Sequence, residues 1–110
     1  MHNAYRRGAA DTWYSGFAGD LWVEYKFVRK LPVRAPLRIY KLLEPLQLRW
    51  LNARYDEGRH VAVVLGVEAY AYIFEDRAWN STDVTRANIV ERGYDRKDVA
   101  DYIRRKTMPT

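Results

Sequence analysis

Two carboxylates and an amine stand in otherwise apolar company near the start of this sequence. Asp11 lies in "AADTWY", and Glu24 and Lys26 lie in "DLWVEYKFV". Two carboxylates held close together repel unless a proton or a cation sits between them. A hard divalent cation such as magnesium is satisfied by one or two carboxylates, retained waters and substrate phosphate oxygens. Such an ion polarises a phosphodiester and acidifies water, and a neighbouring ammonium steadies charge gathering on the phosphoryl oxygens. The chemistry open to Asp11, Glu24 and Lys26 is therefore metal-dependent phosphodiester hydrolysis.

That chemistry needs elements that bring the three together. "ADTWY" and "DLWVEYKFV" read as strands, rich in aromatic and β-branched residues, and "SGFAG" between them reads as a hairpin connection. If Tyr14 pairs with Leu21, antiparallel register sets Asp11 opposite Glu24, with Cβ atoms roughly 4.5–5.5 Å apart. Lys26 follows Glu24 by two residues and leaves the same sheet face. Leu21, Val23, Tyr25 and Phe27 take the other face as a core set, while Trp22 and Val28 share the side of Glu24. A slip of one residue would turn Asp11 away. Asp20 is a rival for the ion, but four strand residues span roughly 13 Å. Taken alone, Glu-x-Lys on a strand is an ordinary surface charge pair; the facing Asp11 distinguishes this one.

Further along, "EPLQLRWLNARYDEG" carries helix punctuation, with Pro45 in the first turn and Gly58 past the last. Leu46, Trp50 and Ala53, flanked by Leu51, supply an apolar stripe. "RHVAVVLGV" reads as a strand covered on both faces, and "EAYAYIFED" alternates as another strand. The rest reads as helical, with a short element from near Asp83 and a longer one after Asp95, where "DRKD" resembles a capping box. Its buried side is expected to be Val99, Tyr102 and Ile103. The order predicts an α/β class with a mixed sheet flanked by helices. Trp13 and Trp22 would oppose each other as a packing pair, Trp50 reads as core, and His60 as a satisfied strand-end residue. Trp79 fits either a packing anchor or a DNA-facing ring.

The 110 residues fit one domain, 1–110. With no Cys and only two His, thiolate and His-rich metal sites are excluded, which favours an oxygen-bound ion. No signal peptide or membrane-length apolar run is present, so a cytoplasmic protein without membrane contact is expected. The net charge of +5 points to an anionic partner. Between residues 29 and 41 the chain has Arg29, Lys30, Arg34, Arg38 and Lys41 and no acidic residue. Pro32 and Pro36 are expected to keep this segment extended, a suitable track for phosphates. The cluster Arg104, Arg105 and Lys106 reads as solvated helix end.

The run "GAADTWYSGFAGDLWVEYKF" resembles the core motif of PD-(D/E)XK nucleases, in particular the small stand-alone VRR-NUC-like branch of phages and bacteria. The similarity continues through "LEPLQLRWLNARYDEGRHVAVVLG" and covers about residues 8 to 66. It implies a restriction-endonuclease-like core. It further implies that Asp11 and Glu24 bind magnesium or manganese with the backbone carbonyl of Tyr25, that Lys26 assists the attacking water, and that Gln47 lines the site from the helix. An ordinary boundary glutamine would look the same in sequence. Ala10 stands where the family usually has Pro. The family's N-terminal helix, which often adds a glutamate, is expected to be absent ahead of Asp11, with a second subunit or the C-terminal helices covering that side. The resemblance also implies a homodimer that cuts branched DNA such as a Holliday junction. On the charge pattern, Arg6 and Arg7 are expected to help the basic segment hold phosphates.

Two further readings stay open on the sequence. One is a non-catalytic nucleic-acid-binding module with a degenerate nuclease core. The other is an interaction protein whose aromatic strand around Tyr70 to Phe74 covers a partner.

Overall fold

The computed structural model describes residues 9–32 and 35–108, apart from the side chains of Val90 and Arg92. β1 (Thr12–Gly16) and β2 (Gly19–Val28) form an antiparallel hairpin in which Tyr14 faces Leu21 and Trp13 faces Trp22. That register is the expected one. The turn is tighter than expected, because Ser15 pairs with Asp20 and Gly16 with Gly19, leaving a two-residue loop. Gly16 also sits where a Cβ would overlap the Thr107 carbonyl. The same carbonyl accepts a 2.8 Å hydrogen bond from the Ala18 amide, clasping the last helix to the hairpin.

α1 (Pro45–Asp56) carries the chain over the sheet to β4 (His60–Val67), which lies parallel to β2. β5 (Tyr70–Phe74) returns antiparallel to β4, giving the strand order β1-β2-β4-β5. The result is an α/β fold with a mixed sheet flanked by helices. A capping box between Glu44 and Gln47 starts α1, with Pro45 in the first turn; Gly58, at φ 83°, ends it in a backbone conformation that glycine adopts without strain.

The apolar stripe of α1 differs from the expected one. Leu51 is fully buried, and Leu48, Trp50 and Tyr55 pack beside it, whereas Leu46 and Ala53 are exposed. Both sets have helical spacing, and the way the crossover lies on β2 and β4 selects between them. Under α1, Val61, Val63, Leu65 and Val67 join Phe74, Trp79 and Ile89 in the larger core.

α3 (Arg96–Thr107) packs on the opposite face, where Tyr102 meets Leu21, Val23, Ala62 and Val64, with Ile103 beside them. Its Asp95–Asp98 capping box is the one read from "DRKD". This C-terminal helix covers the face turned away from Glu24 and Lys26, and not the side of the acidic pair. The Tyr102 hydroxyl donates to Glu75 at 3.0 Å, and burial, then the Glu75 charge, push its pKa up.

Two expectations for the connecting segments are corrected. The stretch around 29–41 is not extended throughout, since Ile39–Leu42 forms a 3-10 turn that buries Ile39. Pro36 restrains the residue before it but not those after. Nor is the element near Asp83 helical. β6 (Asp83–Val84) pairs with β3 (Leu37–Arg38), and α2 (Arg86–Arg92) begins only after Thr85, whose hydroxyl caps the helix.

Candidate active site

The period-2 geometry of β2 puts Trp22, Glu24 and Lys26 on the face covered by α1, and turns Tyr25 to the other side. Glu24 is only 3% exposed, an unusual place for a carboxylate unless its oxygens are occupied. They are. Glu24 Oε1 accepts from the Asp11 amide at 3.2 Å, and Oε2 accepts from Gln47 Nε2 at 3.1 Å. Lys26 Nζ lies 3.4 Å from the same Oε2.

Asp11 lies just before β1 and reaches across to the neighbouring strand. Its Oδ1 accepts from the Tyr25 amide at 3.4 Å and from the Thr12 hydroxyl at 3.0 Å. Carboxylates thus replace main-chain groups where the β1–β2 ladder ends, and this holds Asp11 and Glu24 beside each other. Burial first, then the Asp11 charge, push the Glu24 carboxyl up from its ordinary pKa, while Lys26 opposes them. The repulsion from Asp11 is one that a cation between the two carboxylates would relieve.

Gln47 is tied at both ends. Its Oε1 accepts from the Glu44 amide at 3.0 Å as part of the α1 cap, while its Nε2 holds Glu24. The helix start is thereby fixed to the acidic pair, so this glutamine is more than a boundary residue. The Tyr25 hydroxyl pairs with that of Tyr14 on the α3 face, and burial followed by this pairing raises its pKa. Only the backbone of Tyr25 can therefore contribute beside Asp11 and Glu24. Thr12 was not foreseen as part of the site, although it adjoins Asp11; no residue pattern marks a hydroxyl for that role.

The structure brings together Asp11, Glu24, Lys26 and Gln47. Asp20 is excluded, because it is exposed at the hairpin end and accepts from the Ser15 hydroxyl at 2.9 Å. His60 is exposed at the first position of β4, the strand-end place expected of it. Trp79 is fully buried and its indole donates to Asn52 Oδ1 at 2.9 Å, which makes it a packing anchor and not a DNA-facing ring. Of the basic residues, Arg29, Lys30 and Lys41 are exposed. Arg38 is also exposed, but β3–β6 pairing brings Asp83 within 3.8 Å of it, so the segment is not without acidic neighbours in space. Arg6, Arg7 and Arg34 lie outside the described residues.

Among the described residues no group of three His, Cys, Asp or Glu side chains is placed to hold a metal ion. Asp11 and Glu24 would offer an ion two carboxylates, all oxygen. That composition fits magnesium or manganese and does not fit structural zinc. Among the described residues, no helix is long and apolar enough to cross a membrane.

No family model, curated protein or solved structure matches this chain.

Proposed function

We propose that this protein is a metal-dependent DNA endonuclease with a restriction-endonuclease-like core. The observation that carries the reading is a buried Glu24 held between Asp11, Lys26 and Gln47 at the end of the β1–β2 ladder. Asp11 and Glu24, with the Tyr25 backbone carbonyl, would hold magnesium or manganese, and the ion when bound would polarise the phosphodiester and acidify water.

The chain's own groups supply the rest. Lys26 lowers the Glu24 pKa against burial and Asp11, and would present its ammonium where phosphoryl charge gathers. Gln47 fixes the Glu24 carboxylate, so little reorganisation is needed on substrate arrival. Arg29, Lys30 and Lys41 would attract the phosphate backbone, an effect that weakens as salt rises. The resemblance to the VRR-NUC-like branch adds branched DNA as substrate and a homodimer as the working form. Sedimentation with and without a four-way junction tests both.

The decisive assay uses labelled linear and branched DNA with magnesium, manganese or EDTA, beside Glu24→Ala and Lys26→Ala. Metal-dependent cutting by the wild type that is lost in both variants, with circular dichroism unchanged, supports the enzyme. Salt-sensitive binding without cutting supports a non-catalytic binding module. The observation favouring that second reading is the absence of a third acidic side chain beside Asp11 and Glu24 among the described residues.

A further inference from the structure

Beside the acidic pair runs a row of aromatic rings. Trp13 and Trp22 stack across the hairpin with centroids 5.9 Å apart and planes at 28°. Trp22 meets Trp50 of α1 edge-on at 5.2 Å, and the Arg54 guanidinium sits 5.7 Å from the Trp50 ring centre. The row passes from the sheet's edge strand β1 inward to α1, and burial follows it. Trp22 and Trp50 are partly buried against the core, whereas Trp13 remains 39% exposed.

Position relative to the carboxylates gives the row its meaning. Trp13 follows Asp11 by two residues and Trp22 precedes Glu24 by two, so all four side chains leave one sheet face. Two strand residues span about 7 Å. That is comparable to the reach from a phosphodiester to the base of its own nucleotide. Cross-strand packing explains why Trp22 touches Trp13. It does not require the outermost ring to be an exposed indole two residues from the acidic pair.

From this arrangement we infer that Trp13 is a stacking platform for an unpaired nucleobase next to the phosphate held at Asp11 and Glu24. The inference rests on the nuclease reading and sharpens its substrate class to strands with an unpaired base at the cut. A base inside a continuous duplex is already stacked between its neighbours and cannot lie on the indole. A single strand, a loop or a branch point offers a free π-face, and stacking on an aromatic side chain tolerates any base. The rigid backing of Trp22 and Trp50 holds the platform in place before the strand arrives.

Binding and cutting are measured separately, so that failure of the platform is distinguishable from failure of the nuclease. In EDTA, a fluorescently labelled single-stranded oligonucleotide and a blunt duplex of the same length are titrated with wild type, Trp13→Ala and Trp13→Phe. Trp13→Ala is expected to lose about tenfold or more in affinity for the single strand and to bind the duplex unchanged, with Trp13→Phe retaining most of the affinity. Quenching of indole emission by the unlabelled strand should shrink in both variants. With magnesium, wild type is expected to cut a duplex containing an unpaired loop faster than a fully paired one, and Trp13→Ala to lose that preference. Equal single-strand affinity in wild type and Trp13→Ala would overturn the inference. So would an equal loss on single strand and duplex, which would make Trp13 a packing residue.

Discussion

Replacing Lys26 by Met keeps most of the aliphatic stem and removes the charge beside Glu24. Nζ lies 3.4 Å from Oε2, with the Lys26 side chain 23% exposed and that of Glu24 4% exposed. Exposed ion pairs contribute about 0–1 kcal/mol, while removing one partner of a buried pair costs about 3–5 kcal/mol. This pair lies between those limits, which gives about 2 kcal/mol at a pH where Glu24 is ionised. At about 4 °C per kcal/mol for a domain of this size, the melting temperature should fall by about 8 °C.

The pH dependence separates charge from packing. Burial and Asp11 raise the Glu24 pKa above its ordinary 4.5 and Lys26 lowers it, so the variant's carboxyl titrates higher still. A raised carboxyl pKa means that the folded state holds the proton more tightly than the unfolded chain. Its stabilisation is complete below the unfolded value and is lost as pH rises through the folded one. In Lys26→Met that loss runs further, so the gap to wild type should be small near pH 4.5 and open toward neutral pH. Thermal melts in EDTA across this range measure it. A gap independent of pH would refute the electrostatic account. Magnesium at about 100-fold its dissociation constant should then add about 2.7 kcal/mol. It should do so in both proteins at neutral pH, but not in Asp11→Asn. Equal stabilisation of Asp11→Asn would remove the ion from this site.

Gln47→Ala should lower kcat about tenfold with magnesium and cost about 1 kcal/mol of stability, because one side chain both caps α1 and holds Glu24; cutting rates and urea melts report the two effects. Gly16→Ala should destabilise by about 1–3 kcal/mol in the same melts, since its methyl overlaps the Thr107 carbonyl and must push α3 from the hairpin. Trp79→Ala should cost about 3–5 kcal/mol, and Trp79→Phe distinctly less, as read by thermal unfolding.

Local chemistry made much of the architecture legible. Alternation in β2 and β5, the apolar run of β4, the Pro45 and Gly58 punctuation of α1 and the Asp95–Asp98 cap of α3 each depend on neighbours a few residues away. The nearness of Asp11 to Glu24 was legible for the same reason, because a short hairpin fixes its own register.

Tertiary structure decided what depends on distant segments. Gln47 meets Glu24 only because the start of α1 lies over the middle of β2, and that crossover also buried Leu48 beside Leu51 in place of Leu46 and Ala53. Asp83 reaches Arg38 through a two-residue strand pair between segments far apart in sequence, too short to leave a periodic signal. Trp79 is buried by packing in the larger core, where Asn52 accepts from its indole. Sequence fixes which groups can ionise, stack or alternate; burial and charge proximity, which set the Glu24 pKa, are sums over segments that only the packed chain brings together.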